Sequence, residues 1–270
     1  MPELPEVEVT RRQLLPLLVG RRIASVVTTR PSYFFLTAPA VLRRKLPGRT
    51  VLALDRIGKY LLAGLDSGER LLLHLGMTGE IVRAGAIAAD EHTHLRLRFH
   101  DTHPGVDFRD ERKFGKVQLL AAGASPKRLA RLGPDALRIS AEQLRVASRK
   151  RRIPIKTLLL DQAVLAGVGN IYADEALYIA KVRPTRRAGG VTRAEFQRLA
   201  EAVQQVLQRA IEAGGSSISD YVQPNGSYGW YQEERRVYDR EGEPCQRCGS
   251  LIRRRLLGQR SCHYCPRCQP

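Results

Sequence analysis

The chain has 270 residues, with 45 Lys and Arg against 27 Asp and Glu, for a formal charge of +18. Its apolar content of 43% is ordinary for a globular fold, and its length suits one large domain or two modest ones. No run of 18 apolar residues spans a bilayer and no segment reads as a secretory signal, so a cytoplasmic protein with a polyanionic partner is expected, nucleic acid ahead of lipid.

In chain order, residues 4–19 are rich in Leu, Val and Arg and predict an amphipathic helix that Pro16 kinks or ends. Short β-rich runs follow at Ile23–Thr29, Thr50–Asp55, Tyr60–Leu65, Arg70–Leu75 and His94–Phe99. Leu95, Leu97 and Phe99 alternate with Arg96 and Arg98, the period of a strand with one wet face. Asp66-Ser67-Gly68 predicts a hairpin turn. Strands at this spacing predict an antiparallel sandwich or barrel. The stretches Ala121–Pro126 and Leu132–Asp135 predict the exit from that domain. Helices are then expected over Ala141–Ser148, Ile155–Leu160, Asn170–Ala180 and Arg193–Gly214, followed by a Gly/Ser-rich loop, Gly214–Gly229, and a short basic tail. The expected fold is α+β with residues 1–134 a β-sandwich domain with flanking helices, 135–240 a helical domain, and 241–270 a zinc module.

All five cysteines lie between Cys245 and Cys268. Cys245 and Cys248 have two residues between them, as do Cys265 and Cys268, with 16 residues between the pairs. Two thiolates from each of two tight turns complete a tetrahedron around one Zn2+, and four leave no open position, so the ion is expected to be structural. Cys262 competes with the second pair as a ligand, at the cost of leaving Cys268 spare. The tail has few large apolar residues, so metal binding, worth roughly 10–16 kcal/mol in finger peptides, would supply much of its folding energy. Nine arginines against three acids from Arg235 to Pro270 suit a phosphate backbone.

The opening Met1-Pro2-Glu3-Leu4-Pro5-Glu6 reads either as a frayed terminus or as a reactive one. Pro2 permits removal of Met1, leaving a secondary amine as the first group. An α-amino group has a pKa roughly two to three units below that of lysine, so far more of it is unprotonated at neutral pH. Attack by such an amine on C1′ of a deoxyribose gives an iminium ion, an electron sink that expels the base and then the 3′ phosphate.

The segments MPELPEVE, GKYLL, HLGMTG, FRDERKFG, LAGVGNIYADE and GQRSCHYC followed by PRC occur in the order found in bacterial formamidopyrimidine-DNA glycosylases, and the chain resembles that family from its second residue to its last cysteine. The resemblance implies an N-terminal β-sandwich, a helix–two-turn–helix element, a β-hairpin zinc finger, and double-stranded DNA carrying oxidised bases or abasic sites as substrate, with DNA in a cleft between domains. It implies a bifunctional glycosylase and AP lyase acting as a monomer at the nucleoid, with no membrane and no nucleotide cofactor. The related endonuclease VIII branch usually opens Pro-Glu-Gly-Pro-Glu, so Leu4 points to oxidised purines.

Carried over residue by residue, the resemblance makes Pro2 the nucleophile, Glu3 its acid/base, and Glu6 a supporting residue. Lys59 becomes a phosphate-binding residue near the sugar, and Arg260 a phosphate clamp of the same centre. His74, Arg109, Lys156, Asn170 and Tyr238 are implied DNA contacts. Several have bland readings too: Lys59 as a turn lysine, His74 as a satisfied structural histidine, and Asn170 as the cap of the helix it precedes. Met77, Arg112 and Phe114 are implied to fill the void left by an everted nucleotide, Arg112 favouring a partner cytosine. Alone, Met77 and Phe114 read as core residues and Arg112 as a turn charge. The loop Gly215–Gly229 has the composition of a lid over the everted base. Where the family usually has Thr and an aromatic, this chain has Cys262 and His263. Two other readings stay open: an endonuclease VIII-like oxidised-pyrimidine glycosylase, and a zinc-dependent damage-binding protein without catalysis.

Overall fold

The computed structural model describes residues 2–217 and 221–270, which divide into two compact units, Met1–Ala130 with Ala213–Gln232, and Arg131–Glu212 with Glu233–Pro270. The first begins with α1 (Leu4–Leu18), followed by β1 (Ile23–Thr28), α2 (Pro39–Lys45), β2 (Val51–Ile57), β3 (Tyr60–Leu65), β4 (Arg70–His74), β5 (Glu80–Arg83), β6 (Thr93–Phe99), β7 (Val106–Arg109), β8 (Lys116–Leu120) and the single turn α3 (Lys127–Ala130). The strands form two four-stranded antiparallel sheets, ordered β1-β6-β7-β5 and β2-β3-β4-β8. Leu61, Leu73 and Val117 from one sheet share a core with Ile81, Leu95 and Phe108 from the other, which makes the unit a sandwich. On β6 the predicted alternation holds: Leu95, Leu97 and Phe99 are buried while Arg96 and Arg98 are half-buried.

The helix α1 does not stop at Pro16. A proline in the last turn forfeits only its own N–H bond, and the chain continues to Leu18 before Val19 leaves the helix. The hairpin from β2 to β3 turns on Gly58 and Lys59, with Ile57 paired to Tyr60. Gly58 has φ 57°, at the first position of a two-residue turn, where II′ geometry calls for glycine. The strands β5, β7 and β8 and the helix α2 escape the sequence pattern. Each strand has only four or five residues, too few for a period to emerge.

The second unit contains α4 (Ala141–Ser148), α5 (Ile155–Leu160), α6 (Asn170–Ile179) and α7 (Arg193–Glu212), then a hairpin of β9 (Arg253–Leu257) and β10 (Arg260–Tyr264). α4 starts on a reciprocal capping box between Ser140 and Gln143. α7 buries Phe196, Leu199, Val203, Val206 and Ala210 at helical spacing and packs on α4 and α6. Between α5 and α6 the chain makes two turns tied by Gln162, which accepts from Gly167 N–H at 2.9 Å and donates to Val168 O at 2.8 Å. Among the described residues no helix is long and apolar enough to cross a membrane.

Within the first unit, Glu8 on α1 binds three arginines. Arg11 reaches it at 2.8 Å, Arg12 at 2.9 Å and Arg56 at 3.0 Å. Burial alone would raise the Glu8 carboxyl, but the hydrogen bonds from Arg11, Arg12 and Arg56 outweigh it and hold the pKa at about 2. A carboxyl depressed in the fold contributes stability above its ordinary pKa of 4.5 and loses it as pH falls toward 2. Glu8→Gln is therefore expected to be less stable than wild type at pH 7, with the gap narrowing between pH 4.5 and 2. Denaturant midpoints across that range check it; a gap independent of pH contradicts the assignment.

Candidate active site and DNA-contact surfaces

Pro2 and Glu3 are buried at the start of α1, not frayed. Glu3 is the N-cap residue. Its side chain accepts from the Glu6 N–H, and Glu6 Oε2 accepts from Glu3 N–H at 2.8 Å. This is a capping box built from two glutamates. The other Glu6 oxygen accepts from Ser216 N–H at 2.8 Å, and Tyr221 OH donates to Glu6 O at 3.1 Å. Gly215, with φ 86°, lies so near Glu6 that a Cβ there would stand 3.1 Å from its Oε1. Glu6 thus fastens the amino terminus to the start of the expected lid. Residues 218–220 of that lid lie outside the described residues. Its described flanks are tied together, with Ser217 Oγ donating to Tyr221 O at 2.8 Å and Gly229 N–H donating to Ser217 Oγ at 2.9 Å.

Lys59 is 8% exposed at the tip of the β2–β3 hairpin. Arg56, held by Glu8, donates to Gly58 O at 3.0 Å and so steadies the turn that carries it. His74, at the end of β4, accepts from Gly76 N–H at Nδ1 over 3.2 Å. Burial, with Lys59, Lys116 and Arg128 nearby, lowers its pKa to about 4. A neutral ring whose Nδ1 accepts must carry its proton on Nε2, so His74 offers a neutral N–H donor at pH 7. One nitrogen thus serves the fold, as the structural reading of this histidine expects, and the other is left as a donor.

Met77, Arg112 and Phe114 are exposed, Met77 and Phe114 at 38% and 40%, so the core reading of the two apolar side chains does not hold. They occupy two loops, one leaving β4 and one entering β8, strands paired at His74 and Lys116. The Arg112 guanidinium lies over the Phe114 ring at 4.7 Å. Arg109 is differently placed. One arm of its guanidinium pairs with Glu80 and another with Asp90. A phosphate would have to compete with both carboxylates for it.

In the second unit Asn170 is not the cap of α6. The N-cap is Gly169, without a side-chain bond, and Asn170 begins the helix. Its Nδ2 donates instead to Ser261 Oγ at 3.2 Å, next to the exposed Arg260. Arg260 follows the Gly258-Gln259 turn and has no carboxylate partner among the described residues. Lys156, an implied DNA contact, is wholly buried. Its Nζ lies 2.8 Å from Asp174 Oδ1 and donates to Ser261 O at 2.5 Å, while Asp174 Oδ2 accepts from His263 N–H at 2.9 Å. The pair offers a donor and an acceptor to the edge of β10, as a third strand would. The charge of Lys156 is thus spent inside the fold, fixing the strand that begins with Arg260. Tyr238 packs edge-on against His263 at 5.2 Å, and its N–H, with those of Arg236 and Val237, donates to the buried Glu175 carboxylate.

Asp174, Glu175 and Asp110 were not singled out from the sequence. The signal for the first two was there: adjacent carboxylates in an otherwise apolar helix must find donors when buried.

Cys245, Cys248, Cys265 and Cys268 bring their Sγ atoms within 4.8 Å of one another, with Cys245 and Cys268 at 3.9 Å and Cys248 and Cys265 at 3.5 Å. Four thiolates about 2.3 Å from one tetrahedral zinc stand about 3.8 Å apart, so the four residues fit one ion. Tyr178 OH lies 3.3 Å from Cys245 Sγ and ties the finger to α6. Cys262 is not part of the cluster. It is buried, and burial, followed by the nearby Asp174 carboxylate, pushes its thiol up to about 12.

A proline next to the capped first helix of a β-sandwich unit, and a helical unit ending in a four-cysteine hairpin, are the marks of a helix–two-turn–helix DNA glycosylase. The comparisons agree. Residues 1–117 match the Formamidopyrimidine-DNA glycosylase N-terminal domain, 132–222 the Formamidopyrimidine-DNA glycosylase H2TH domain, and 242–270 the zinc finger found in FPG and IleRS. The formamidopyrimidine-DNA glycosylase of Solibacter usitatus is 44% identical over 100% of this chain and 99% of its own length. The MutM (FPG) protein of Thermus thermophilus superposes with a TM-score of 0.89 at 40% identity, covering 99% of this chain and 98% of that one. Lactococcus lactis FPG, solved with Fapy-dG-containing DNA, gives 0.87 at 34% identity over 99% of both. The chain belongs to the formamidopyrimidine-DNA glycosylase family.

Elemental analysis is expected to find one zinc per chain, retained in Cys262→Ser and lost in Cys268→Ser; the reverse order would make Cys262 the ligand. Lys156→Met is expected to cost about 3–5 kcal/mol of stability by leaving Asp174 charged and unpaired. An unchanged denaturant midpoint would show that the pair does not bear on the fold.

Proposed function

We propose that this protein excises oxidised purines, 8-oxoguanine and formamidopyrimidines, from duplex DNA and then cuts the strand at the abasic site. The observation that carries the reading is Pro2, buried next to the helix start that Glu3 and Glu6 cap reciprocally. Family members act on DNA, and the L. lactis relative was solved with Fapy-dG; here the chain's own residues supply the chemistry.

With Met1 removed, the Pro2 nitrogen attacks C1′ of the damaged nucleotide. The C1′–N bond breaks, its electron pair leaves with the base, and the base takes up a proton. Glu3, one residue from the nucleophile, protonates the ring oxygen as the sugar opens, leaving an iminium between Pro2 and C1′. Loss of a C2′ proton then feeds electrons toward the iminium and expels the 3′ phosphate, and a second elimination expels the 5′ phosphate. Lys59 and His74 in the first unit, and Asn170 and Arg260 in the second, hold backbone phosphates, Arg260 by its planar fork. Tyr238 steadies the same strand of the finger. Met77, Arg112 and Phe114 fill the gap left by the everted nucleotide, and Arg112 hydrogen-bonds the widowed cytosine. The zinc, when bound, supplies folding energy to the finger and takes no part in bond making. The protein works as a monomer in the cytoplasm, on the nucleoid.

The rival substrate class is oxidised pyrimidines. Cleavage of an 8-oxoguanine:cytosine duplex is expected to exceed that of a thymine-glycol duplex by about a hundredfold or more; the opposite ranking would overturn the assignment. Pro2→Gly is expected to bind the lesion duplex while losing strand scission by about a thousandfold. Equal turnover would show that another group is the nucleophile. Binding without scission in the wild type would favour the damage sensor.

A further inference from the structure

The two loops that carry the void-filling side chains are joined beneath their tips by one carboxylate. Asp110 is fully buried. Its Oδ1 accepts from the Thr78 hydroxyl at 2.6 Å, and its Oδ2 accepts from Gly115 N–H at 2.6 Å. Thr78 follows Met77, and Gly115 follows Phe114, so a single side chain grips both loops one residue from their exposed tips. The Thr78 hydroxyl oxygen also accepts from Arg112 N–H at 3.3 Å, which brings the third side chain into the same knot.

The rest of the surroundings hold Asp110 itself. Its N–H donates to His92 O at 2.9 Å, and its carbonyl accepts from Lys113 N–H at 3.2 Å. His94 Nε2 lies 3.0 Å from that carbonyl, with Nδ1 3.2 Å from Thr29 Oγ1. The backbones approach so closely that only glycine fits. A Cβ on Gly76 would stand 2.5 Å from Gly115 N, and one on Gly115 would stand 2.9 Å from Asp110 Oδ2. Tyr33 closes the outer side. Its OH donates to Arg112 O at 2.6 Å, and its ring centroid lies 6.4 Å from that of Phe114.

We propose that Asp110 is the positioning residue for base eversion, locking the two loops so that Met77, Arg112 and Phe114 act as one pre-assembled wedge. The inference rests on the void-filling reading of those three residues. A wedge assembled in the free protein does not have to order two loops while the base stack is being opened, a cost that would otherwise fall on the eversion step. The chemistry also explains why a carboxylate is needed. Both partners are donors, and an amide of the same shape offers only one acceptor for the two.

The test uses a duplex with 8-oxoguanine opposite cytosine and 2-aminopurine beside the lesion, whose fluorescence rises as the stack opens. Asp110→Asn is expected to slow the rise about tenfold. It is also expected to abolish the coupling between Met77 and Phe114. With Asp110 intact, Met77→Ala and Phe114→Ala combine non-additively in the rate of the rise; with Asn at the position they add. If Asp110→Asn does not fold, Thr78→Val, which removes the hydroxyl bridging both loops, is expected to uncouple the pair in the same way. Coupling that survives in the folded variant overturns the role of Asp110. If Met77→Ala and Phe114→Ala each leave the rise at the wild-type rate, the void-filling reading itself falls, a result distinguishable from the first.

Discussion

The first residues of a chain fray unless something ties them down. Here the Glu6 carboxylate does so from both of its oxygens. One binds the Glu3 N–H and completes the cap of α1, and the other binds Ser216 N–H in the segment proposed to cover an everted base. A secondary amine at a chain end is chemically available in many proteins. Pro2, buried next to the Glu3 cap of that helix, is where the proposed nucleophile would be held once Met1 is removed. Two residues on, Glu8 binds Arg56, which binds the turn carrying Lys59. Two acids of α1, on different sides of the helix, thus hold the proposed nucleophile's segment and the turn that carries Lys59.

The excess of positive charge divides into charge that builds and charge that binds. Lys156 is fully buried on Asp174 and completes the edge of β10, and Arg109 is occupied by Glu80 and Asp90. Arg260 stands exposed at the start of the strand that Lys156 fixes. Arg253 and Arg255 on β9 are likewise exposed, with no carboxylate partner among the described residues. A buried pair is weak evidence for stability gained over an apolar one, but it fixes direction and register. In the finger, register decides where Arg260 is presented.

Much of this was legible in the residues themselves. The four helices of the second unit lie where the sequence places them, and Ala141–Ser148 and Ile155–Leu160 appear with the predicted ends. The cysteine spacing specified the metal cluster because paired ligands with two residues between them are local information. The short strands β5, β7 and β8 carry too few residues for a period, and their pairing depends on neighbours distant in the chain. The same distance hid Asp110, whose partners Thr78 and Gly115 lie in separate loops, and the true role of Lys156, whose partners are 18 and 105 residues away. Asn170 misled for a related reason. Its type favours a cap, but a hairpin more than ninety residues further on takes its amide. Resemblance named candidate DNA contacts that physics alone did not single out, and geometry then separated the exposed ones from those already engaged.

The central claim is that the imino nitrogen of Pro2 becomes bonded to the sugar. Borohydride added during turnover of an 8-oxoguanine duplex, followed by tandem mass spectrometry of the trapped complex, tests it most directly. The expected result is a reduced adduct on an N-terminal peptide that begins at Pro2. An adduct on Lys59, or an active, trapped enzyme that still carries Met1, would contradict it.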